Sequence, residues 1–219
     1  MVHDRLRRAR LMGESLMNAG RVFVVDDEPT VLAALERMLR ASGYEVSTFS
    51  SPSEFLAAAP HEGVGCVLLD LSMPDMSGLD VQDAMHRQGI SMPVIFLSAY
   101  GDVPSAARAM REGAIDFLVK PISETELLAA IRRALDTATA QERRRISRSE
   151  VEERLARLTP RERQVCNLVI KGLLNKQIGA ELGLTEKTVK VHRGQVMRKL
   201  EVHSVAALVR LFADLPEPS

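Results

Sequence analysis

Five short strand-like runs, each followed by a segment with helix signals, constrain this chain more than any other feature. Val22–Val25 ends in Asp26-Asp27-Glu28-Pro29, and Glu45–Phe49 is the second run. Val64–Leu69 is apolar throughout and ends at Asp70; Val94–Leu97 ends at Ser98; Phe117–Val119 runs into Lys120-Pro121. Between and after them lie helix patterns. Val31, Leu32, Leu35, Met38 and Leu39 repeat at helical spacing and stop at Gly43. Ser51-Pro52-Ser53-Glu54 reads as a full helix start, with a Ser N-cap, Pro at N1 and Glu at N3. Ser77–Met85 and Ala106–Arg111 read as helices, and Ser123-Glu124-Thr125-Glu126 is a capping box opening a helix to about Thr139. Apolar strands alternating with helices predict a parallel sheet buried on both faces, and right-handed crossovers make it a doubly wound α/β sheet. In such sheets ligands bind beyond the carboxyl ends of the strands. The polar residues Asp26, Asp27, Asp70, Ser98 and Lys120 stand at those ends.

Singly, these residues are ordinary. An Asp pair before a helix is favourable at its positive end, a Ser at a strand end is usually a cap, and Lys-Pro is usually a solvated turn. Their coincidence is what points to chemistry. Three carboxylates brought together repel one another unless a cation sits among them. Mg²⁺, or Mn²⁺, takes hard oxygen ligands of this kind. A hydroxyl and an ammonium opposite the metal suit phosphoryl oxygens. The expected site therefore binds Mg²⁺ and carries a phosphoryl group on an Asp nucleophile.

Val24-Val25-Asp26-Asp27-Glu28, the stretch Leu68 to Gly78 (LLDLSMPDMSG), Leu97-Ser98-Ala99 and Asp116-Phe117-Leu118-Val119-Lys120-Pro121 together resemble the receiver domain of two-component response regulators. The resemblance implies a sheet of order 2-1-3-4-5 and a phosphoacceptor at Asp70. It implies that Asp27, Asp70 and the Ser72 carbonyl hold the metal directly, with Asp26 acting through water. Lys120 would pair with the phosphoryl oxygens, Ser98 would donate its hydroxyl, and Phe117 would be the aromatic switch. Glu28 would belong to the acidic rim, and Lys120-Pro121 would be a cis peptide. Phosphatases with an Asp nucleophile are the enzymatic rival; their motif has a second Asp two residues after the nucleophile, where this chain has Ser72. Catalysis beyond self-phosphorylation and slow autodephosphorylation is not expected.

The rest of the chain differs in charge. Residues 21–137 carry 9 basic and 17 acidic residues, whereas residues 138–219 carry 16 and 10. The net charge of zero therefore joins an acidic part to a basic one. From Gln141 to Leu158 charges are dense, and Ile146, Val151, Leu155 and Leu158 recur, as in a semi-rigid helix continuing from the one before. Thr159-Pro160-Arg161-Glu162 is a further full capping box. Asn175–Leu182 is a short helix, Gly183-Leu184 a turn, Thr185 the cap of a longer helix to about Leu200, and Ser204–Phe212 a last helix. Four helices containing a short helix, a Gly turn and a basic helix describe a helix-turn-helix.

At 100° per residue, Val189, Val196 and Leu200 face the core of that unit, while Lys187, Val191, Gly194 and Arg198, flanked by Lys190, face out toward a major groove. Lys suits guanine acceptors, and Val suits a thymine methyl. Gly194, costing about 1 kcal/mol in mid-helix relative to Ala, would allow close approach; sequence drift explains it equally well. Arg193 would snorkel to a phosphate, and Lys176, Thr185, Thr188 and Lys199 are further phosphate candidates. His192 is open between packing and phosphate.

Leu158 to Val165 (LTPRERQV), Asn175 to Gly179 (NKQIG) and Thr185 to Arg193 (TEKTVKVHR) resemble the LuxR-type helix-turn-helix of the NarL/FixJ response regulators, closest to the FixJ branch. Gly179 stands where that family commonly has Ala, a departure expected to loosen the packing. The combined resemblance implies a DNA-binding transcription regulator, of the activator kind. It would be phosphorylated by a sensor histidine kinase, form a homodimer on phosphorylation, bind promoter DNA and recruit RNA polymerase. The rival is a receiver-type protein-interaction module that acts without DNA or without phosphorylation. The expected organisation is a basic N-terminal extension at 1–20, a receiver at 21–137, a helical linker at 138–157 and the DNA-binding domain at 158–219, with its helix-turn-helix at about 175–200. Cys66 and Cys166, 100 residues apart in apolar surroundings, read as buried thiols in a reducing compartment. No apolar run approaches membrane-helix length, and the basic N-terminus is not a convincing signal peptide, so the expected location is cytoplasmic.

Overall fold

The computed structural model describes residues 20–59, 63–99 and 103–213. Of the expected N-terminal extension, all but Gly20 lies outside them. Five strands, β1 (Arg21–Val25), β2 (Glu45–Phe49), β3 (Gly65–Asp70), β4 (Val94–Ser98) and β5 (Asp116–Val119), form one parallel sheet in the order β2-β1-β3-β4-β5. The helices of this part are α1 (Pro29–Ala41), α2 (Pro52–Ala58), α3 (Gly78–Arg87), α4 (Val103–Arg111) and the start of α5 (Glu124–Ala156).

The sheet is buried on both faces along its central strands β1, β3 and β4, which are apolar in both directions, while the edge strand β2 exposes Glu45 and Ser47. One core joins Phe23, Val25, Phe49, Phe55, Leu69 and Phe96 with Leu79 and Met85; the other joins Val22, Val24, Leu68, Ile95 and Leu97 with Leu32, Leu39, Leu127 and Ile131. Asp70 and Ser98 are the last residues of their strands, so ladder hydrogen bonding extends right to the functional edge. Helix α4 starts at Val103, three residues before the expected start, and Val103 is 75% exposed.

The chain divides into two compact units between Glu142 and Arg143. That boundary falls inside α5, which runs unbroken from Glu124 to Ala156, so the expected linker is helical as far as Ala156. In the second unit, α6 (Pro160–Ile170), α7 (Asn175–Leu182), α8 (Glu186–Lys199) and α9 (Val205–Ala213) enclose Leu158, Val165, Leu168, Ile178, Val189, Val196, Leu200 and Leu208. Leu155 packs against the same core, and Arg154 reaches Glu201 at 3.4 Å. Both cysteines are free and buried. Burial pushes the Cys66 thiol up to about 12 and that of Cys166 up to about 11, which keeps both protonated.

Three caps differ in completeness. At Thr159 the box closes both ways: Thr159 Oγ1 accepts the Glu162 N–H at 3.3 Å, and Glu162 Oε2 accepts the Thr159 N–H at 2.8 Å. At Ser51 and Ser123 the hydroxyl accepts the N3 amide, but among the described residues no carboxylate returns the bond. Glu54 and Glu126 are solvated there, whereas Glu162 is buried and held. The expectation for Gly179 is overturned. A Cβ there would stand 2.7 Å from the Leu184 carbonyl oxygen, while the Leu184 N–H bonds the Gly179 carbonyl at 2.9 Å. The missing side chain is what lets the turn close on α7, so glycine tightens this packing.

Candidate phosphoacceptor site and DNA-facing helix

The carboxyl edge of the sheet gathers residues far apart in sequence. Asp26 is wholly buried, and its backbone N–H bonds the Phe49 carbonyl at 3.2 Å. Its Oδ1 accepts the Glu28 N–H at 2.9 Å, and its Oδ2 accepts the Lys120 ammonium at 2.7 Å. Asp70 is 5% exposed; its Oδ1 accepts the same ammonium at 2.6 Å, and its Oδ2 accepts the Ser72 N–H at 2.8 Å. Lys120 thus spans from the end of β5 to the ends of β3 and β1. Its own N–H bonds the Ser98 carbonyl at 2.7 Å, which fixes its origin. The Lys120–Pro121 peptide is cis. Burial pulls the Lys120 pKa down, but the bonds and charges of Asp26 and Asp70 outweigh it and hold the ammonium above the usual lysine value.

Among the described residues no three Asp, Glu, His or Cys side chains gather at metal-ligand spacing. Asp26 and Asp70 are bridged by Lys120, and Asp27, half-buried, accepts no hydrogen bond among the described residues. Asp26 and Asp70 share one ammonium, which leaves net negative charge on hard oxygens at this edge. That donor set suits Mg²⁺ or Mn²⁺ with retained waters. Ser98 is 2% exposed at the end of β4. The half-buried Phe117 ring lies 6.4 Å from that of Phe96. Asp116 Oδ1 accepts the Phe117 N–H at 2.9 Å, and Asp116 also pairs with Arg133 on α5.

Sequence reasoning assigned no role to Gly78. A Cβ there would lie 2.4 Å from the Asp70 carbonyl oxygen and 3.0 Å from the Phe96 ring, so α3 reaches the strand end only because residue 78 has none. Its place one residue after the N-cap Ser77 was the available signal. A cavity of about 310 Å³ was not foreseen either; Val31, Leu35, Leu97, Lys120, Pro121 and Leu127 are among its lining residues.

In the second unit, Thr185 caps α8 by accepting the Thr188 N–H at 3.2 Å, and the two hydroxyls share a bond of 2.8 Å. Lys187, Lys190, Val191, Gly194 and Arg198 are exposed along α8, as is Lys176 on α7. Val191, an apolar side chain, is 57% exposed. Two expected phosphate donors have partners inside the unit. Arg193 Nη1 donates to Asn175 Oδ1 at 3.0 Å. Lys199 Nζ donates to Glu162 Oε2 at 2.6 Å and to the Arg157 carbonyl at 3.1 Å, so it ties the end of α8 to the start of α6. This bond to Lys199 holds the Glu162 carboxyl below the usual carboxylate range; burial opposes it, and the Thr159 bonds add to it. His192 is half-buried.

Comparison with known proteins covers both units. Residues 22–132 match the response regulator receiver domain, and residues 156–212 match the bacterial regulatory proteins of the luxR family. The response regulator protein TodT of Pseudomonas putida F1 is 45% identical over 91% of this chain and 88% of its own length. The transcriptional regulatory protein FixJ of Rhizobium meliloti is 40% identical over 87% and 93%. The solved structure of the response regulator StyR superposes with a TM-score of 0.79 at 44% identity, covering 89% of this chain and 98% of that one. Full-length FixJ from B. japonicum gives 0.55 at 35%, covering 89% and 96%. Receiver domains generally bind a divalent metal ion and imply a histidine kinase partner, and the luxR-family domain implies DNA. Among the described residues no helix is long and apolar enough to cross a membrane. The chain belongs to the NarL/FixJ family of two-component response regulators, with a receiver domain followed by a LuxR-type helix-turn-helix, and is a transcription regulator.

Proposed function

We propose that this regulator is a phosphorylation-controlled activator switched at Asp70. The reading rests above all on Lys120, whose ammonium is shared between two buried carboxylates at the carboxyl edge of the sheet. An Asp70 oxygen attacks the phosphorus of a kinase phosphohistidine; the P–N bond breaks, imidazole leaves, and an acyl phosphate forms. A divalent cation held by Asp27, Asp70 and the Ser72 carbonyl, with Asp26 through water, would offset charge on the phosphoryl oxygens. Lys120 transfers its hydrogen bond from the Asp70 carboxylate to a phosphoryl oxygen, which costs little because its backbone is already tied to Ser98. The Ser98 hydroxyl then turns to the phosphoryl group, and Phe117 moves behind it. With no acid at Ser72 to activate water, hydrolysis stays slow and the signal persists.

The output follows from α8. Lys187, Lys190, Val191, Gly194 and Arg198 face bases in the major groove, while Lys176, Thr185, Thr188 and the remaining donors of Arg193 meet phosphates. Phosphorylation pairs two chains on a two-fold repeated promoter site, where RNA polymerase is recruited. Residues 21–137 act as the receiver and 158–219 as the DNA-binding domain. An Asp70→Asn chain incubated with a small radiolabelled acyl phosphate and Mg²⁺ tests the first half: label is expected to vanish while far-UV dichroism stays unchanged. Undiminished label would sink the assignment. Promoter binding that stays flat between low and moderate salt would sink the second half, because phosphate contacts make affinity fall steeply with salt.

A further inference from the structure

Two glycines lie inside helices of the helix-turn-helix, and the surroundings of one explain it while those of the other do not. Gly179 is buried, and a Cβ on it would strike the Leu184 carbonyl oxygen at 2.7 Å. Gly194 is exposed in the middle of α8, and a Cβ on it would meet nothing within 4 Å. It holds no left-handed backbone that would favour glycine. A helix-interior glycine is destabilising relative to alanine. The folded domain therefore carries a stability defect that nothing within the described chain uses.

The position of the defect is informative. Gly194 follows Lys190 by four residues and Val191 by three, and precedes Arg198 by four, so all three are its neighbours on the outer face of the helix. The face thus has a notch one side chain deep, with an exposed apolar side chain on one wall and cations at both ends. An apolar wall beside bare backbone suits a small apolar group more than a phosphate. On the floor of a major groove the group of that kind is the C5 methyl of thymine. Its approach to the helix backbone is limited by whatever stands on the facing Cα, and at Gly194 that is hydrogen.

We propose that Gly194 is a specificity-determining residue: it opens a notch, walled by Val191 and flanked by Lys190 and Arg198, that admits a thymine methyl of duplex DNA against the backbone of α8. The proposal rests on the DNA-facing reading of that helix. It differs from sequence drift in one measurable way. Drift predicts that filling the notch is free, whereas a reading role predicts that the more stable protein recognises DNA less well.

The test uses the full chain and its Gly194→Ala variant, both treated with a small acyl phosphate and Mg²⁺. Wild-type chain first selects duplexes from a pool with a randomised 20-bp core. Affinities are then measured for the recovered duplex, for a scrambled duplex, and for versions of the recovered duplex in which each thymine in turn is replaced by deoxyuracil. The alanine variant is expected to unfold at higher temperature, to bind the recovered duplex about tenfold more weakly, and to bind the scrambled duplex unchanged. One thymine-to-deoxyuracil change is expected to weaken wild type several-fold and to leave the variant unaffected. A more stable variant that binds the recovered duplex as well as wild type overturns the proposal. A loss of affinity with no thymine dependence overturns the methyl as occupant, and a variant that unfolds at lower temperature overturns the premise that nothing in the chain needs the notch. If wild type enriches no duplex and shows no salt-dependent binding, the DNA reading fails first and takes the notch with it.

Discussion

The receiver unit and the helix-turn-helix unit treat charge in opposite ways. In the receiver, carboxylates from the ends of β1 and β3 turn inward and share the one ammonium of Lys120. On α8, Lys187, Lys190 and Arg198 stand outward in solvent. A buried carboxylate without its partner is costly, so the inward arrangement is unstable against any change at its centre, which suits a switch. An outward cation costs nothing to leave unpaired and keeps its field for a partner, which suits a DNA surface. The second unit nevertheless repeats the inward arrangement once: Glu162, 5% exposed, binds Lys199 and both atoms of the Thr159 cap. These clusters hold charge either as a lock or as a display, and Lys199, grouped by sequence with the display, is a lock.

The largest expected effect is at the centre of the inward cluster. Lys120→Ala leaves Asp26 and Asp70 with no cation between them and should destabilise the receiver by about 3–5 kcal/mol, as breaking a buried pair does. Mg²⁺ should recover more thermal stability in this variant than in wild type. An unchanged midpoint without Mg²⁺ would mean that Lys120 bears no structural load. Next is Glu162→Gln, expected to cost about 1–3 kcal/mol by weakening charged bonds to Lys199 and the cap. Because the folded Glu162 pKa lies below its unfolded value, its contribution is full above the unfolded pKa of about 4.3 and fades as pH falls through the lower folded value. Thermal midpoints measured from pH 7 down to pH 3 should therefore converge for wild type and variant at the acid end; parallel curves would remove Glu162 from the titration.

Gly179→Ala should destabilise the second unit by about 1–3 kcal/mol, since backbone and not a mobile side chain stands in the way. Stability equal to wild type in chemical denaturation would show that the turn relaxes. Smallest are the display residues. Lys176→Ala should leave folding within about 0.5 kcal/mol of wild type and lower the salt slope of promoter binding by about 1, as loss of one phosphate contact does. Lys199→Ala should do the reverse, lowering stability and leaving the slope alone; a reduced slope there would return Lys199 to the DNA-facing set.

Much of this was legible from local signals. The strand runs, the Ser77, Thr159 and Thr185 caps, and the outward row from Lys187 to Arg198 are each read from residues of a single element and its immediate flanks. The helix boundary slipped at α4, whose first residues Val103-Pro104-Ser105 begin with an exposed valine and a proline that do not share the apolar face carried on by Ala109. At Ser51 and Ser123 the residue pattern suited a reciprocal box, but the solvated Glu54 and Glu126 side chains do not complete it. Both buried thiols were readable from their apolar neighbours, because strand and helix periodicity places them inside.

By itself the sequence determined the order of elements, the two-unit division and the set of residues that end on the functional edge. Periodicity, capping and strand termination are short-range properties, written where they act. Tertiary structure alone decided who partners whom. Lys120 meets Asp26 across 94 residues of chain, and Glu162 meets Lys199 across 37. It also decided which glycines the packing requires: Gly78 and Gly179, because another segment's backbone arrives within 3 Å of a would-be Cβ, and not Gly194, where nothing stands within 4 Å. Such distances depend on how separated segments pack, and no local pattern records them.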